Sequence, residues 1–172
     1  MKINRFPNGY SFEGEETLKE AMDKAHEANL DMRDALSLWT MSFFKMAQEE
    51  RRAVRNEILS GRDPCMVHQF INTSKKVLTR VETNSGVSLL WHEIWFAEGS
   101  KTQGKRQPRY NYINKTKAGG YSMATLLKGA HPDEFEILER HEKERRALEE
   151  AWRNLHRLER DLKVSRRQIV RE

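Results

Sequence analysis

Apolar residues recur at the three- and four-residue steps of a helix through the first third of the chain. This spacing predicts a short, fairly polar helix over residues 15–29, and we expect Asn29 or Asp31 to break it or cap the next. A longer helix is predicted from Asp31 to Ser60, with Gly61 as its C-terminal cap. The expected core face of this helix consists of Met32, Leu36, Trp39, Phe43 and Met46.

The pattern changes in the middle of the chain. Residues 64–80 suit either a helix or a strand, and helix is favoured, which makes residues 15–80 a helical region. Aromatic and β-branched residues then indicate a strand over residues 87–96. Residues 109–116 alternate as the returning strand would, so the sequence predicts a central β-hairpin over about residues 87–116.

The longest predicted element is a helix over residues 132–163, which follows a short helix at residues 121–128. A seam of apolar residues runs along it at alternating steps of three and four. The members of the seam are Leu148, Ala151, Leu155, Leu158 and Leu162. We expect the seam to pack on the Met32–Met46 face as a helical hairpin. Self-association into a homodimer through the C-terminal helix is the alternative.

Together these elements predict a mostly helical α+β protein with N-terminal helices, a central β-hairpin and a long C-terminal helix. We expect one domain over residues 1–172, with residues 1–14 as an irregular lead-in. The single cysteine, Cys65, excludes a disulfide scaffold and a cysteine-rich zinc site. Neither a signal-peptide pattern nor an apolar run of membrane-spanning length is present, so we expect a cytoplasmic protein without a membrane partner.

The net charge of +5 is distributed very unevenly. Residues 1–98 carry 13 basic and 15 acidic residues, and residues 133–172 carry 11 of each. Residues 99–132 carry seven basic residues and no acidic residue. A segment of this kind indicates a polyanion partner, an acidic protein partner or a solvated loop, and we favour the polyanion.

Catalytic and metal-binding patterns are weak. The six histidines form none of the usual metal-ligand spacings, and no phosphate-binding glycine motif is present. The nearest acid-x-Lys sequence, Asp161-Leu162-Lys163, falls in the predicted long helix, which is the wrong geometry for a metal-dependent nuclease. We therefore expect no metal site, no cofactor and no enzymatic activity, with a nuclease assembled from distant acids as a minor alternative.

The basic segment also carries interleaved tyrosines. Cations attract phosphates, and tyrosine rings stack on bases. Five or six phosphate contacts would account for non-specific DNA binding. The predicted nucleic-acid-binding residues are Lys101, Lys105, Arg106, Arg109, Tyr110, Tyr112, Lys115 and Lys117.

Aromatic and basic residues follow one another in a fixed order in the second half of the chain. They are Trp91, Trp95-Phe96, Gly104-Lys-Arg, Arg109-Tyr110, Tyr112, Lys115, Tyr121-Ser-Met, Phe135, Glu139 and Trp152. This order resembles the conjugative transfer protein MobI family over about residues 87–155. The resemblance implies a small accessory protein of integrative conjugative elements or plasmids that acts in DNA processing at the origin of transfer. A separate relaxase would be the nicking enzyme, and no catalytic residue is carried over.

Two functions are therefore expected. The first is a DNA-binding accessory protein whose partners are DNA at an origin of transfer and a relaxase or another transfer protein. The alternative is a non-enzymatic protein-interaction adaptor or inhibitor of a mobile element or phage, which would use the basic hairpin and the long helix as docking faces.

Overall fold

The computed structural model describes residues 13–58, 73–83, 86–96 and 108–169. Its elements in chain order are helix α1 (Glu13–Ile58), strands β1 (Lys76–Thr83), β2 (Gly86–Phe96) and β3 (Pro108–Tyr112), helix α2 (Met123–Leu127), a 3₁₀ turn (Pro132–Glu134) and helix α3 (Phe135–Ile169). This architecture confirms the mostly helical α+β class, with a central antiparallel hairpin and a long C-terminal helix. Much of the predicted lead-in and residues 64–72 of the ambiguous segment lie outside the described residues.

Helix α1 is a single helix of 46 residues, so the predicted break at Asn29 or Asp31 is wrong. Both residues lie in the helix interior, and Asn29 is buried. Asn and Asp cost a helix less than about 0.7 kcal/mol each relative to Ala. Packing of the surrounding helix outweighs a penalty of that size, and the helix continues through both positions.

The buried face of α1 also differs from the predicted one. Phe43 is buried as expected, but Met32, Trp39 and Met46 are each more than 40 % exposed. The face that is covered carries Thr40, Phe43, Ala47 and Arg51. Small side chains at two of these positions let a neighbouring element approach closely, whereas the larger apolar residues lie on the rim.

Residues 76–80 form strand β1, so the prediction of a helix there is wrong. The strand is the first of three in an antiparallel sheet with the order β1-β2-β3. Leu78 lies opposite Trp91, and Thr79 lies opposite Leu90. The segment alone combines residues that suit a helix with β-branched residues that suit a strand, and pairing with β2 decides the outcome.

Contacts divide the chain into two compact units. The terminal unit comprises residues 1–36 and 151–172, and the central unit comprises residues 37–150. In the terminal unit the first half of α1 lies beside the end of α3, and Arg166 pairs with Asp23 at 3.2 Å. In the central unit the sheet is joined to the second half of α1 and the first half of α3, with Trp91 fully buried.

A buried ion cluster in the central unit ties the end of α1 to the starts of β1 and α3. The guanidinium groups of Arg51 and Arg55 lie within 4.0 Å of the Glu134 carboxylate. That carboxylate also accepts a hydrogen bond from the Ser74 backbone at 2.5 Å. Burial lowers the pKa of Arg51 to about 9, so the group stays protonated at neutral pH. The cluster fixes where β1 begins relative to both helices.

His141 joins α3 to α1 within the central unit. Its Nε2 lies 2.8 Å from Glu50 Oε2, and its ring meets Phe43 edge to face at 5.8 Å. Burial lowers the pKa of His141, and the attraction of Glu50 offsets only part of that effect. Within the part of the chain that the structure describes, Nδ1 has no hydrogen-bond partner. The ring is therefore held in its neutral form, with Nε2–H donating to Glu50.

Neither long helix has the apolar length that a membrane crossing requires, and the same holds for the other helical residues that the structure describes.

Candidate nucleic-acid interface

Strand β3 presents two tyrosines at the edge of the sheet. It pairs with β2 on one side, and the order β1-β2-β3 makes it an edge strand. Tyr110 and Tyr112 are 55 % and 51 % exposed. They are two residues apart, so they lie on the same face of the strand, about 7 Å from one another. The predicted pairing of this strand with β2 is confirmed, although the strand ends at Tyr112 and not at residue 116.

His92 on β2 lies against both tyrosine rings. The register pairs His92 with Tyr112 and Ile94 with Tyr110. The His92 ring meets Tyr110 at 6.5 Å and Tyr112 at 5.6 Å between centroids, edge to face in both cases. A hydrogen bond of 2.7 Å joins its Nδ1 to the hydroxyl of Thr79 on β1. Residues from all three strands thus build one aromatic surface, which we call the tyrosine face (Thr79, His92, Tyr110 and Tyr112).

The opposite face of the same strand carries a cation on an aromatic ring. Arg109 lies opposite Trp95 in the register, and its guanidinium carbon is 5.6 Å from the Trp95 ring centroid. Both residues are exposed. A cation over an indole ring is attracted by the ring quadrupole, by about 0.5–1 kcal/mol at an exposed site. Strand β3 therefore offers stacking rings on one face and a positioned positive charge on the other.

A buried network fixes β2 and the segment after β3 on helix α3. The Glu142 carboxylate accepts hydrogen bonds from Trp91 Nε1 at 2.9 Å and from the Tyr121 backbone at 3.0 Å. It also accepts two from Arg145, at 2.7 and 3.0 Å. Arg145 is 1 % exposed and lies 4.8 Å from the Tyr121 ring centroid. The Glu142 carboxylate thus accepts hydrogen bonds from Trp91 of β2, from Tyr121 of the segment after β3 and from Arg145 of α3.

Tyr121 completes the sheet edge where β3 ends. The Trp91 backbone N–H donates to the Tyr121 hydroxyl at 3.3 Å, close to the point where Ile113 donates to the Trp91 carbonyl. Burial raises the pKa of Tyr121, and the adjacent Tyr112 hydroxyl contributes to the rise. The hydroxyl is neutral at physiological pH and accepts the Trp91 N–H just beyond the end of β3.

The two lysines after β3 differ in their surroundings. Lys115 is half-buried, and its ammonium group donates to Glu149 at 2.8 Å. Contacts with Lys115 and Arg145 lower the pKa of Glu149 against the opposing effect of burial, so the Glu149 carboxylate is ionised at neutral pH. Lys117 is exposed in the turn that Thr116 and Gly120 close. Of the two, Lys117 has the ammonium group that is open to a ligand.

The structure brings part of the predicted site together. Arg109, Tyr110 and Tyr112 lie side by side on β3, and Lys115 and Lys117 follow within a few residues. Lys101, Lys105 and Arg106 fall outside the described residues. Along the predicted apolar seam, Leu148 and Leu155 are buried and Leu162 is half-buried, whereas Ala151 and Leu158 are exposed. Whether this seam also mediates self-association stays a prediction.

The sequence did not predict that His92 contacts the two tyrosine rings or that Trp95 lies under the Arg109 guanidinium. The alternation of β2 places His92 and Trp95 on opposite faces, but alternation alone does not show which residues of β3 face them. The register supplies that information, and it depends on the loop between the strands. Within the described ranges, no group of three or more His, Cys, Asp or Glu side chains is arranged to hold a metal ion.

Comparison with known proteins gives one family. Searches of curated proteins and of solved structures returned no match. The model of the MobI protein family matches residues 39–163, which is well over half of the chain. The match includes the second half of α1, the sheet and most of α3, and so extends beyond the region of residues 87–155 that carries the sequence resemblance. The chain belongs to the MobI family, a family of accessory proteins in conjugative mobilisation.

Proposed function

We propose that this protein is a DNA-binding accessory factor that acts at an origin of transfer beside a separate relaxase. The observation that carries the proposal is the position of β3. This exposed edge strand lies within the only long stretch of the sequence, residues 99–132, that carries seven basic residues and no acidic one. Duplex DNA attracts such a surface through its phosphates, whatever the base sequence.

The role follows from what the surface offers. Arg109 and Lys117 expose positive charge, and more than half of Tyr110 and of Tyr112 is exposed. We identify no catalytic group in this set, so its contribution is to bind and remodel DNA while the relaxase cuts it. The cytoplasmic location that this role requires stays a prediction from the sequence.

Fluorescence anisotropy with labelled DNA at several salt concentrations tests the proposal. With five or six phosphate contacts, the logarithm of the affinity for duplex should fall against the logarithm of salt with a slope of about −5. Changing Lys105, Arg106 and Arg109 to Glu should abolish binding at physiological salt.

The matched control changes three exposed lysines elsewhere, Lys24, Lys45 and Lys143, to Glu. It alters the net charge by the same amount and should retain most of the affinity. Equal losses in the two triple variants would mean that net charge, and not the basic segment, drives binding. Absence of binding to either DNA form at low salt would refute the proposal.

A surface in the central unit favours the alternative function, a protein-interaction adaptor. Trp39 is 66 % exposed and Met46 is 44 % exposed, and both line a groove of about 450 Å³ between α1 and α3. Phe43 and His141 complete its apolar part, and exposed apolar surface of this kind is typical of protein contacts. An adaptor would bind its protein partner at high salt without DNA, and Trp39→Lys would abolish that binding. A DNA-dependent, salt-sensitive interaction would exclude it.

A further inference from the structure

We infer that the tyrosine face is a stacking platform for the bases of single-stranded DNA, so that the protein prefers unpaired strand to duplex. The inference rests on the proposed DNA-binding function and adds the class of DNA that is bound. It concerns the rings of Tyr110, Tyr112 and His92, and the positive charges of residues 99–132 serve both DNA forms alike.

The first argument is the exposure of the rings. A tyrosine ring carries a large apolar area that folding can bury, yet more than half of Tyr110 and of Tyr112 is exposed. The sheet has a core face elsewhere, with Leu78, Leu89 and Trp91 buried on it. The two exposed tyrosines alternate with these positions in the register, so they belong to the other face of the sheet.

The second argument is that the rings are held in place. His92 contacts both tyrosines edge to face, and the Thr79 hydroxyl fixes the imidazole at 2.7 Å. Rings that are already ordered lose little conformational entropy when a base stacks on them. His92 is therefore a positioning residue, and the two tyrosines are the groups that touch the bases.

The third argument is the spacing of the rings. Two residues on a strand place Tyr110 and Tyr112 about 7 Å apart, roughly twice the 3.4 Å separation of stacked bases in a duplex. In a duplex each base is covered by its neighbours, and a protein ring gains access only to the ends. An unpaired strand can separate its bases and lay one on each ring, a mode of binding that tolerates any base sequence.

The experiment compares the binding of three DNA ligands of equal length to the wild-type protein, of which the two single strands carry equal numbers of phosphates. They are a single strand, its duplex and a single strand with abasic sites, which keeps the phosphates and lacks bases. Anisotropy at one salt concentration gives the three dissociation constants. A stacked base is worth about a 5- to 150-fold change in affinity, so the abasic strand should bind weaker than the intact strand by at least the lower figure.

Variants assign the effect to the rings. Tyr110→Val and Tyr112→Val keep a good strand residue but remove the ring, and each should weaken single-strand binding about 5- to 150-fold while duplex binding changes less than about twofold. Tyr110→Phe and Tyr112→Phe keep the ring and should bind nearly as the wild type does. Trp39→Leu removes an exposed ring outside the tyrosine face and should have no effect on either DNA form.

The outcomes separate this inference from the function on which it rests. Equal affinity for the intact and the abasic strand overturns the platform, even where salt-sensitive DNA binding persists. Unchanged single-strand affinity in the Val variants overturns it as well. A wild-type protein that binds none of the three DNA ligands refutes the proposed function itself. The abasic comparison needs no variant, so it decides the inference even if a Val variant does not fold.

Discussion

Replacement of the buried Glu142 carboxylate by an amide, in Glu142→Gln, should strongly lower the free energy of unfolding. The carboxylate accepts four hydrogen bonds, from Trp91, the Tyr121 backbone and twice from Arg145. The amide of Gln has one oxygen where the carboxylate has two. The other oxygen becomes an NH₂ group that faces donors.

The magnitude follows from the burial of Arg145. This side chain is 1 % exposed, and its other ionic partner is Glu149. Removing one partner of a buried ion pair costs about 3 to 5 kcal/mol, because the remaining charge is left without compensation. The remaining bond to Glu149 places the expected loss at the lower end, about 3 kcal/mol. Such a loss is a large fraction of the free energy of unfolding of a typical domain, which is about 5–15 kcal/mol.

Guanidinium denaturation followed by circular dichroism gives the free energy of unfolding of the wild type and of Glu142→Gln. Glu139→Gln is the matched control, since Glu139 is exposed on the same helix and its change should stay within about 0.5 kcal/mol. A double-mutant cycle with Arg145→Leu should show a coupling of about 0.5–3 kcal/mol between the two residues. A loss below about 1 kcal/mol in Glu142→Gln would refute the reasoning.

Three further predictions concern other contacts. Because burial lowers the pKa of His141, the unfolded state binds the proton more tightly; stability is therefore full above about pH 6.5 and is lost as the pH falls below it, by at most about 1.4 kcal/mol per pH unit. Denaturation at several pH values should show a shallower dependence between pH 7 and 5 in His141→Gln, and an identical dependence would contradict the neutral buried ring. Arg109→Gln should reduce the salt slope of duplex binding by about one, and an unchanged slope would mean that this guanidinium meets no phosphate. Thr79→Val should leave the fold intact but weaken single-strand binding by releasing the His92 ring, and anisotropy that shows no change would remove His92 as a positioning residue.

Much of the fold is predictable from local patterns. The antiparallel pairing of β2 with β3 follows from two segments rich in aromatic and β-branched residues, and α3 follows from Pro132, the acids after it and a long apolar period. The errors come from tertiary contacts. Asn29 does not interrupt α1, because packing of the surrounding helix outweighs its weak helix propensity, and residues 76–80 are a strand because β2 lies beside them.

The sequence predicts which residues of β3 belong to the candidate site, but not their exposure or their contacts. The charge pattern picks out Arg109, Tyr110 and Tyr112 without any knowledge of the fold. It does not show that the tyrosines are exposed, nor that His92 supports them, since both facts depend on the register between β2 and β3. The sequence also does not show that Arg51 and Arg145 are buried, because a hydrophobic pattern assigns charged residues to the surface.

The most direct test of the central claim is to locate bound DNA on the protein by cross-linking. A single strand that carries 5-iododeoxyuridine is irradiated with the wild-type protein, and mass spectrometry identifies the attached peptide. We predict cross-links within β3, at Tyr110 or Tyr112. An unlabelled duplex added as competitor should leave these cross-links in place, whereas an unlabelled single strand should abolish them. Cross-links confined to α1, or none while binding persists, would contradict the account.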